Sequence, residues 1–214
     1  MKRVLLIGLS LVLALVGWSA VCADDGFYVI PAMRGNYAPV PKTGQTVSLV
    51  PGDDGNLKKG VASPTPRFTD NNNGTVTDNL TKLIWTKNAN FPGVQTWAQA
   101  MDLANTLQDI GPFWPNRVVR DGSKAGDWRL PNIRELQSLV DYAFYSPTLP
   151  NTLGTGRWAE GNPFQGVQLS YYWSSSTPAY NNIYAWIVNF ATGSVNGTIN
   201  KSDSNYVWCV RAGP

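Results

Sequence analysis

Apolar residues recur every three or four positions after Thr96, and this spacing predicts an amphipathic helix. Thr96 and Gln99 form a capping box, in which each side chain can bond the other residue's backbone N–H, so the helix is expected to begin at Trp97. A Gly-Pro pair at 111–112 marks the point before which it stops. The predicted apolar face consists of Trp97, Ala100, Met101, Ala104 and Leu107.

A second helix is predicted by the same kind of pattern further along the chain. Asn132 and Glu135 form another capping box, and Pro131 disfavours helical geometry in the residue before it. This helix is therefore expected to begin at Ile133, and Trp128, just ahead of it, is interpreted as a core residue. The predicted apolar face consists of Ile133, Leu136, Leu139, Val140 and Ala143.

Short runs of alternating or continuous apolar residues predict strands before the first helix. A hairpin is predicted over 68–77, with Asn73 and Gly74 supplying the positive φ values of the tight turn. A buried strand is predicted over 83–85, and one further short strand over 46–50. These segments would add a sheet to the two helices.

The chain after residue 169 is predicted to form an antiparallel meander. Within its second strand, Trp186, Val188 and Phe190 are assigned to the core. Tyr184, Ile187 or Asn189 are assigned to the other side or an edge, so that one face would stay available for binding. Turns at 191–193 and 201–205 separate the later strands. The predicted strands are 171–174, 184–190, 194–200 and 206–211.

The first 23 residues carry the pattern of an export signal. Two basic residues precede an apolar run over 4–16, and small residues at 21–23 fit a signal peptidase site, so the mature chain should begin at Asp24. The run is shorter than the about 20 residues of a spanning helix, which predicts no membrane span. Lipid attachment at Cys22 is an open alternative, but no lipobox precedes this residue. The pattern favours a soluble exported protein that is extracellular, on the cell surface or in the periplasm.

These patterns divide the chain into three parts. The signal peptide over 1–23 is followed by an extended arm over 24–66, which is rich in proline and glycine and has no sustained period. The domain over 67–214 is predicted to be α+β, with two helices packed on short antiparallel strands.

Six motifs of the domain, taken in their order and spacing, resemble those of the Lcl C-terminal domain family over about Arg67 to Gly213. The resemblance implies a bacterial exported protein with a C-type-lectin-like fold; some members are surface adhesins and some are targets of diversity-generating retroelements. A helix cysteine that often pairs with a C-terminal cysteine in that family corresponds here to Ala104, which implies that Cys209 is unpaired. The motifs are Arg67-Phe68-Thr69-Asp70, residues 74–81, residues 127–142, Tyr172-Trp173-Ser174-Ser175-Ser176, Ala185-Trp186-Ile187-Val188 and Tyr206-Val207-Trp208-Cys209-Val210-Arg211.

Composition excludes several classes of function. Loss of the signal lowers the net charge from +3 to +1, which leaves no basic footprint for nucleic acid or an anionic membrane. The chain has no histidine, which removes His-based triads and most zinc sites. A non-catalytic protein is therefore predicted, and glycoside hydrolysis by a pair among Asp127, Glu135, Asp141 and Glu160 is kept as a distant third alternative.

No metal or cofactor site is predicted. Calcium at Asp53 and Asp54, or at Asp70 and Asp78, is left open, but turns need the same residues, and the stretch from Asp70 lacks the EF-hand register. Cys209 is expected to be a buried free thiol, with an intermolecular disulfide as the alternative.

The C-terminal part of the domain has the composition of a binding surface. Of the 44 residues in 171–214, 17 are Asn, Tyr or Ser, which antibody paratopes also favour because tyrosine gives rigid contact area and Asn or Ser gives adaptable hydrogen bonds. Turns favour Asn and Ser as well, but the clustering predicts a face for a protein or glycan ligand at the cell exterior. The predicted contact residues are Tyr180, Asn181, Asn182, Tyr184, Asn196, Asn200, Ser202, Asn205 and Tyr206.

A structural cell-surface or fibre subunit is the competing class. In that case the arm would mediate assembly and the aromatic face would be a homo-oligomer interface. A retroelement target would instead carry Asn, Tyr and Ser because adenine-directed mutagenesis of Asn codons produces them.

Overall fold

The computed structural model describes residues 40–110 and 118–213. These residues include all of the predicted strands and both predicted helix starts. The predicted signal peptide with Cys22, the first part of the predicted arm and the Gly-Pro pair at 111–112 lie outside them.

Within these ranges the chain forms short helices and two β-sheets, which confirms the α+β class. The four-stranded sheet has the order β1-β2-β3-β9, and the five-stranded sheet has the order β4-β8-β5-β6-β7. Among the described residues, no helix is long and apolar enough to cross a membrane. The elements are α1 (Asp54–Leu57), β1 (Phe68–Asp70), β2 (Thr75–Asp78), β3 (Ile84–Thr86), β4 (Val94–Gln95), α2 (Trp97–Thr106), α3 (Ile133–Gln137), β5 (Tyr171–Trp173), β6 (Tyr184–Asn189), β7 (Val195–Asn200), β8 (Asn205–Tyr206) and β9 (Val210–Arg211).

Apolar residues cover both faces of the five-stranded sheet. Tyr172 and Phe190 belong to one buried cluster, which they share with the four-stranded sheet and with Leu136 of α3. Trp173 and Ile187 belong to a second cluster, which α2 covers. The prediction that the Ile187 face of β6 stays available is therefore wrong, because α2 packs on that side and leaves Ile187 with no exposed surface.

The first hairpin is confirmed. β1 and β2 pair antiparallel, and β3 continues the sheet one residue later than predicted. The residues with positive φ in the turn are Asn72, at 57°, and Gly74, at 82°, so Asn72 takes the left-handed position that was assigned to Asn73. Asn tolerates this conformation because its short side chain bonds locally.

The first predicted helix is α2, and it begins at Trp97 as expected. The Gln99 side-chain oxygen accepts the Thr96 backbone N–H at 3.0 Å, which satisfies a donor that the helix itself leaves unpaired. The helix ends at Thr106, ahead of the Gly-Pro pair. Ala100 and Ala104 are its fully buried residues, and they bring the helix backbone close to the sheet.

The second predicted helix, α3, is confirmed at its start but is shorter than the apolar pattern indicates. It ends at Gln137, where the N–H groups of Leu139 and Val140 bond to carbonyls three rather than four residues back. Leu139 and Val140 are buried by this tighter turn, whereas Ala143 is exposed. The pattern therefore identified Leu136, Leu139 and Val140 correctly as core residues, whereas its assignment of Ala143 to the core is wrong.

Replacing Asn132 with alanine should lower the free energy of unfolding by about 1 kcal/mol. Its side-chain oxygen accepts the N–H groups of Arg134 and Glu135, both at 2.9 Å, and alanine leaves these donors without that partner. Urea unfolding measures the change. Asn182→Ala is the matched control, since Asn182 is exposed and makes no hydrogen bond within the described chain, and equal losses in the two variants would contradict the capping role.

The predicted meander is correct up to β7 and wrong after it. The segment predicted as one strand over 206–211 forms β8 and β9, which belong to different sheets. β8 pairs antiparallel with β4 and parallel with β5, and β9 pairs with β3. Val207, Trp208 and Cys209 are buried as the chain crosses between the sheets, so apolar character continued through a segment that changes sheets.

The described part of the predicted arm is folded against the domain. The strand predicted over 46–50 does not form, and Leu49 is 82% exposed. The Asp53 carboxylate accepts the N–H groups of Leu49 and Val50, which gives these donors a partner outside any sheet. Asp53 also caps the short helix α1.

Candidate functional site

One end of the β6–β7 hairpin gathers five of the predicted contact residues. Tyr184, at the start of β6, pairs with Asn200, at the end of β7. The ring of Tyr180 lies 6.4 Å from that of Tyr184, measured between centroids, and Tyr180 is 64% exposed. Asn181 and Asn182 belong to the turn between the two tyrosines. This end of the hairpin thus carries a compact group of polar and aromatic side chains.

Most of the asparagines at this site also shape the backbone. Asn181, Asn196 and Asn200 each accept, through the side-chain oxygen, the N–H of the residue two positions ahead, at 2.8–3.0 Å. These are local turn bonds, so the turn interpretation holds for these three side-chain oxygens. Ser202 is exposed, and its hydroxyl donates to Asn200. Asn182 makes no such bond in the described chain.

Asn205 and Tyr206 do not lie on this surface: the assignment of Asn205 to an exposed position is wrong, and Tyr206 is partly buried. They form β8, an inner strand, and β5 and β6 separate it from β7. Asn205 is only 8% exposed. The ring of Tyr206 packs on that of Tyr172, with the centroids 5.5 Å apart. Strand β8 lies between β4 and β5, so both of its edges are paired. In the predicted meander these residues would have belonged to the last strand, at an edge of the sheet.

Trp186 is a candidate contact residue that the sequence pattern assigned to the core. The β6–β7 register shifts opposite this residue, where β7 has one residue more than β6, and the Trp186 side chain is only partly buried. The indole lies on Gly197, where a Cβ atom would be 3.0 Å from three atoms of the ring system. The Tyr180 hydroxyl donates to the carbonyl of the same glycine at 2.7 Å. Tyr180, Tyr184 and Trp186 thus form an aromatic group beside Gly197, called here the aromatic platform.

The indole N–H of Trp186 differs from those of comparable tryptophans. Trp97 and Trp158 are also partly buried, and their N–H groups donate to backbone carbonyls at 2.9 and 3.2 Å. The Trp186 N–H has no partner in the described chain and is not enclosed. A glycine inside a strand signals a bulge or a close contact, so Gly197 was the feature of the sequence that could have singled out Trp186.

The four carboxylates considered for glycoside hydrolysis are held by different neighbours. Asp127 and Glu160 each accept a backbone N–H. Burial alone would raise the pKa of Glu135, but hydrogen bonds from Arg129 and from a backbone N–H outweigh it and hold that pKa below its usual value. Burial raises the pKa of Asp141. The absence of catalysis stays a prediction.

A concavity of about 500 Å³ lies where residues 42–46 and α1 meet the domain. The Thr43 carbonyl accepts the Tyr142 N–H at 2.7 Å, and the Thr43 hydroxyl donates to Asp54. Gly44 passes so close to Asp141 that a Cβ atom on it would overlap the carboxylate. Residues 42–46 therefore fit this part of the domain only with glycine at position 44.

The carboxylates considered for calcium have protein partners. Asp53 accepts three backbone N–H groups, Asp70 pairs with Lys87 at 2.6 Å, and Asp78 pairs with Arg67 at 2.8 Å. The described residues contain no group of three or more His, Cys, Asp or Glu that could hold a metal ion.

Cys209 should not react with a thiol reagent at pH 8 in the native protein. It is a free thiol with 2% exposure, and burial raises its pKa to about 12, so the reactive thiolate is scarce and inaccessible. Titration with Ellman's reagent should give one equivalent for the chain from Asp24 only after denaturation. A covalent dimer on a non-reducing gel would contradict this expectation.

The family model for the Lcl C-terminal domain matches residues 74–211. The matched segment contains every strand from β2 onward and all of the aromatic platform. A search of curated proteins gave no match.

Proposed function

The chain belongs to the Lcl C-terminal domain family, and on that premise we propose that it is an exported, non-catalytic binding or adhesion protein. Its ligand is a protein or a glycan at the cell exterior, and no metal takes part in binding it. The proposed binding surface, called the hairpin face, consists of Tyr180, Asn181, Asn182, Ile183, Tyr184, Trp186, Asn196, Asn200 and Ser202.

The observation that carries this proposal is the exposure of large side chains on a rigid support. Tyr180 is 64% exposed and Ile183 is 48% exposed, at the start of a strand whose inward residues Ala185 and Ile187 are fully buried. Exposed apolar and aromatic groups that lie together on a fixed scaffold are typical of interaction sites. Here the turn bonds of the asparagines add order to the loop.

Two further parts of the proposal rest on the sequence. The basic start, apolar run and small residues over 1–23 support export. Family membership and the α+β arrangement support a C-type-lectin-like fold, in which binding surfaces are formed by loops and short strands.

A triple variant tests the hairpin face. Tyr180→Ala, Asn182→Ala and Tyr184→Ala together should weaken binding about tenfold or more, because exposed aromatic anchors dominate the energy of such surfaces. The probes are immobilised fibronectin, collagen and mucin, together with an array of neutral and anionic glycans. The melting temperature should change little, since surface substitutions usually alter stability by about 0.5 kcal/mol or less each.

Tyr145→Ala is the matched control. Tyr145 is 68% exposed, and the next residue, Ser146, bonds to Ala191 at the opposite end of the β6–β7 hairpin. The Tyr145→Ala variant removes a tyrosine about as exposed as Tyr180, and it should leave binding unchanged. Wild-type protein that binds none of the probes, or a triple variant that binds as well as wild type, would overturn the proposed function.

The structural-subunit alternative makes a different prediction for the same samples. A fibre subunit would sediment as a concentration-dependent assembly, which the triple variant would disrupt. A retroelement target would have a reverse-transcriptase gene nearby and a near-copy of the segment for 171–211 that differs mainly at adenines. Sequencing the flanking DNA decides that point.

A further inference from the structure

We propose that the aromatic platform of Tyr180, Tyr184 and Trp186 takes a neutral saccharide, with Trp186 as the stacking residue. This inference rests on the proposed hairpin face and names the chemical class of its ligand. Three properties of the platform lead to it: the position of the indole ring, its free N–H, and the lack of charged residues in the segment that forms it.

Because Gly197 has no side chain, the Trp186 indole can lie directly against strand β7. A Cβ atom at Gly197 would lie at the same distance, 3.0 Å, from Cδ2, Cε2 and Cε3 of the indole, so the glycine faces the fused part of the ring system. The strand supports one side of the ring, and the residue keeps part of its surface exposed. A supported flat ring with tyrosines beside it suits the apolar C–H face of a pyranose, which stacks on aromatic rings.

The free Trp186 N–H adds a directional donor. Buried tryptophan N–H groups usually find a partner, and the partly buried Trp97 and Trp158 do so within the chain. Trp186 has no partner in the described residues, and neither has the Tyr184 hydroxyl. A ligand that carries oxygen acceptors beside an apolar face satisfies both properties, and sugar hydroxyls supply such acceptors at close spacing.

The segment that forms the platform carries no charged side chain of its own. The sequence from Gly161 to Asn200 contains no Lys, Arg, Asp or Glu. The first charge after it, Lys201, has its ammonium nitrogen 4.0 Å from the ring centroid of Trp97 and bonded to the Thr177 hydroxyl. Anionic polymers are bound through clustered cations and lose affinity as salt rises. The platform offers hydrogen bonds and ring surfaces instead.

Calorimetry and tryptophan fluorescence with defined oligosaccharides test the inference. The probes are the hexaoses of maltose, cellulose, chitin and laminarin, with heparin as the anionic comparison. At least one neutral hexaose should bind, with an affinity that changes by less than about twofold between 50 and 500 mM salt. Trp186→Ala and Tyr184→Ala should each weaken that binding about tenfold or more, and Tyr145→Ala should not.

Trp186→Phe separates binding from folding. Phenylalanine keeps an aromatic ring over Gly197 but has no N–H, so this variant should melt close to wild type and bind more weakly than wild type but more tightly than Trp186→Ala. Binding of heparin alone, loss of binding in high salt, or no binding of any neutral hexaose would overturn the inference. Binding to fibronectin, collagen or mucin through the hairpin face, without saccharide binding, would leave the proposed function standing.

Discussion

Trp208→Ala should lower the free energy of unfolding by about 3–5 kcal/mol, the range for truncation of a large buried aromatic residue. Trp208 is fully buried, and its ring contacts those of Phe164, Tyr172 and Phe190 at centroid distances of 4.8, 5.6 and 5.5 Å. Its N–H also donates to the Thr86 carbonyl at 2.9 Å. Alanine therefore removes the packing between the two sheets and leaves a carbonyl without its partner.

Trp208→Phe and Leu169→Ala calibrate this result. Phenylalanine keeps most of the ring contacts and loses the hydrogen bond, so its cost should be smaller. Leu169 is 51% exposed, and its truncation should change stability by about 0.5 kcal/mol or less. Denaturant unfolding measures all three variants. A Trp208→Ala protein as stable as Leu169→Ala would show that the sheets do not depend on this residue.

Asp78→Ala should also cost about 3–5 kcal/mol, because it leaves a buried guanidinium without its counter-ion. The Arg67 side chain is 3% exposed and that of Asp78 is 0% exposed, and they form two hydrogen bonds at 2.8 and 2.9 Å. The same carboxylate accepts the Leu80 N–H and the Thr81 hydroxyl. Arg67 also donates to the Ser138 carbonyl after α3, so the ion pair joins the β1–β2 hairpin to α3.

A double variant tells an unpaired charge apart from lost packing. Arg67→Met with Asp78→Leu removes both charges and keeps apolar volume, and it should be more stable than Asp78→Ala alone. Urea unfolding of Arg67→Met, of Asp78→Leu and of the double variant gives the coupling free energy between the two residues. If the double variant lost the sum of the two single effects, the ion pair would not explain the cost.

Local features of the fold could be predicted from the sequence, and long-range pairing could not. The caps at Thr96 and Asn132 depend on residues three positions apart, so both helix starts were correct. The division of 206–211 between two sheets depends on distant partners, since β9 pairs with β3, more than 120 residues earlier in the chain. An apolar run at Val207, Trp208 and Cys209 is compatible with one strand or with a crossing between sheets, and no local signal distinguishes them.

In the candidate site, too, local features were predicted and those that depend on long-range pairing were not. Tyr180, Asn182 and Tyr184 were identified by composition alone, and their exposure or partial exposure fits that prediction. Asn205 was misplaced because its burial comes from neighbouring strands rather than from its own sequence context. Trp186 was missed because an alternating pattern gives the side of a strand and not the depth of burial: Val188 is buried, whereas Trp186, nearer the start of β6, is only partly buried.

The segment that matches the family model and the segment that folds do not have the same start. The family match begins at residue 74, yet Arg67 neutralises Asp78 and Phe68 packs edge-on against Phe164, 5.0 Å between centroids. A gene exchange that transferred only 74–211 would deliver a buried carboxylate without its cation and a core lacking one ring. Recombination that preserves a working module must therefore cut upstream of Arg67.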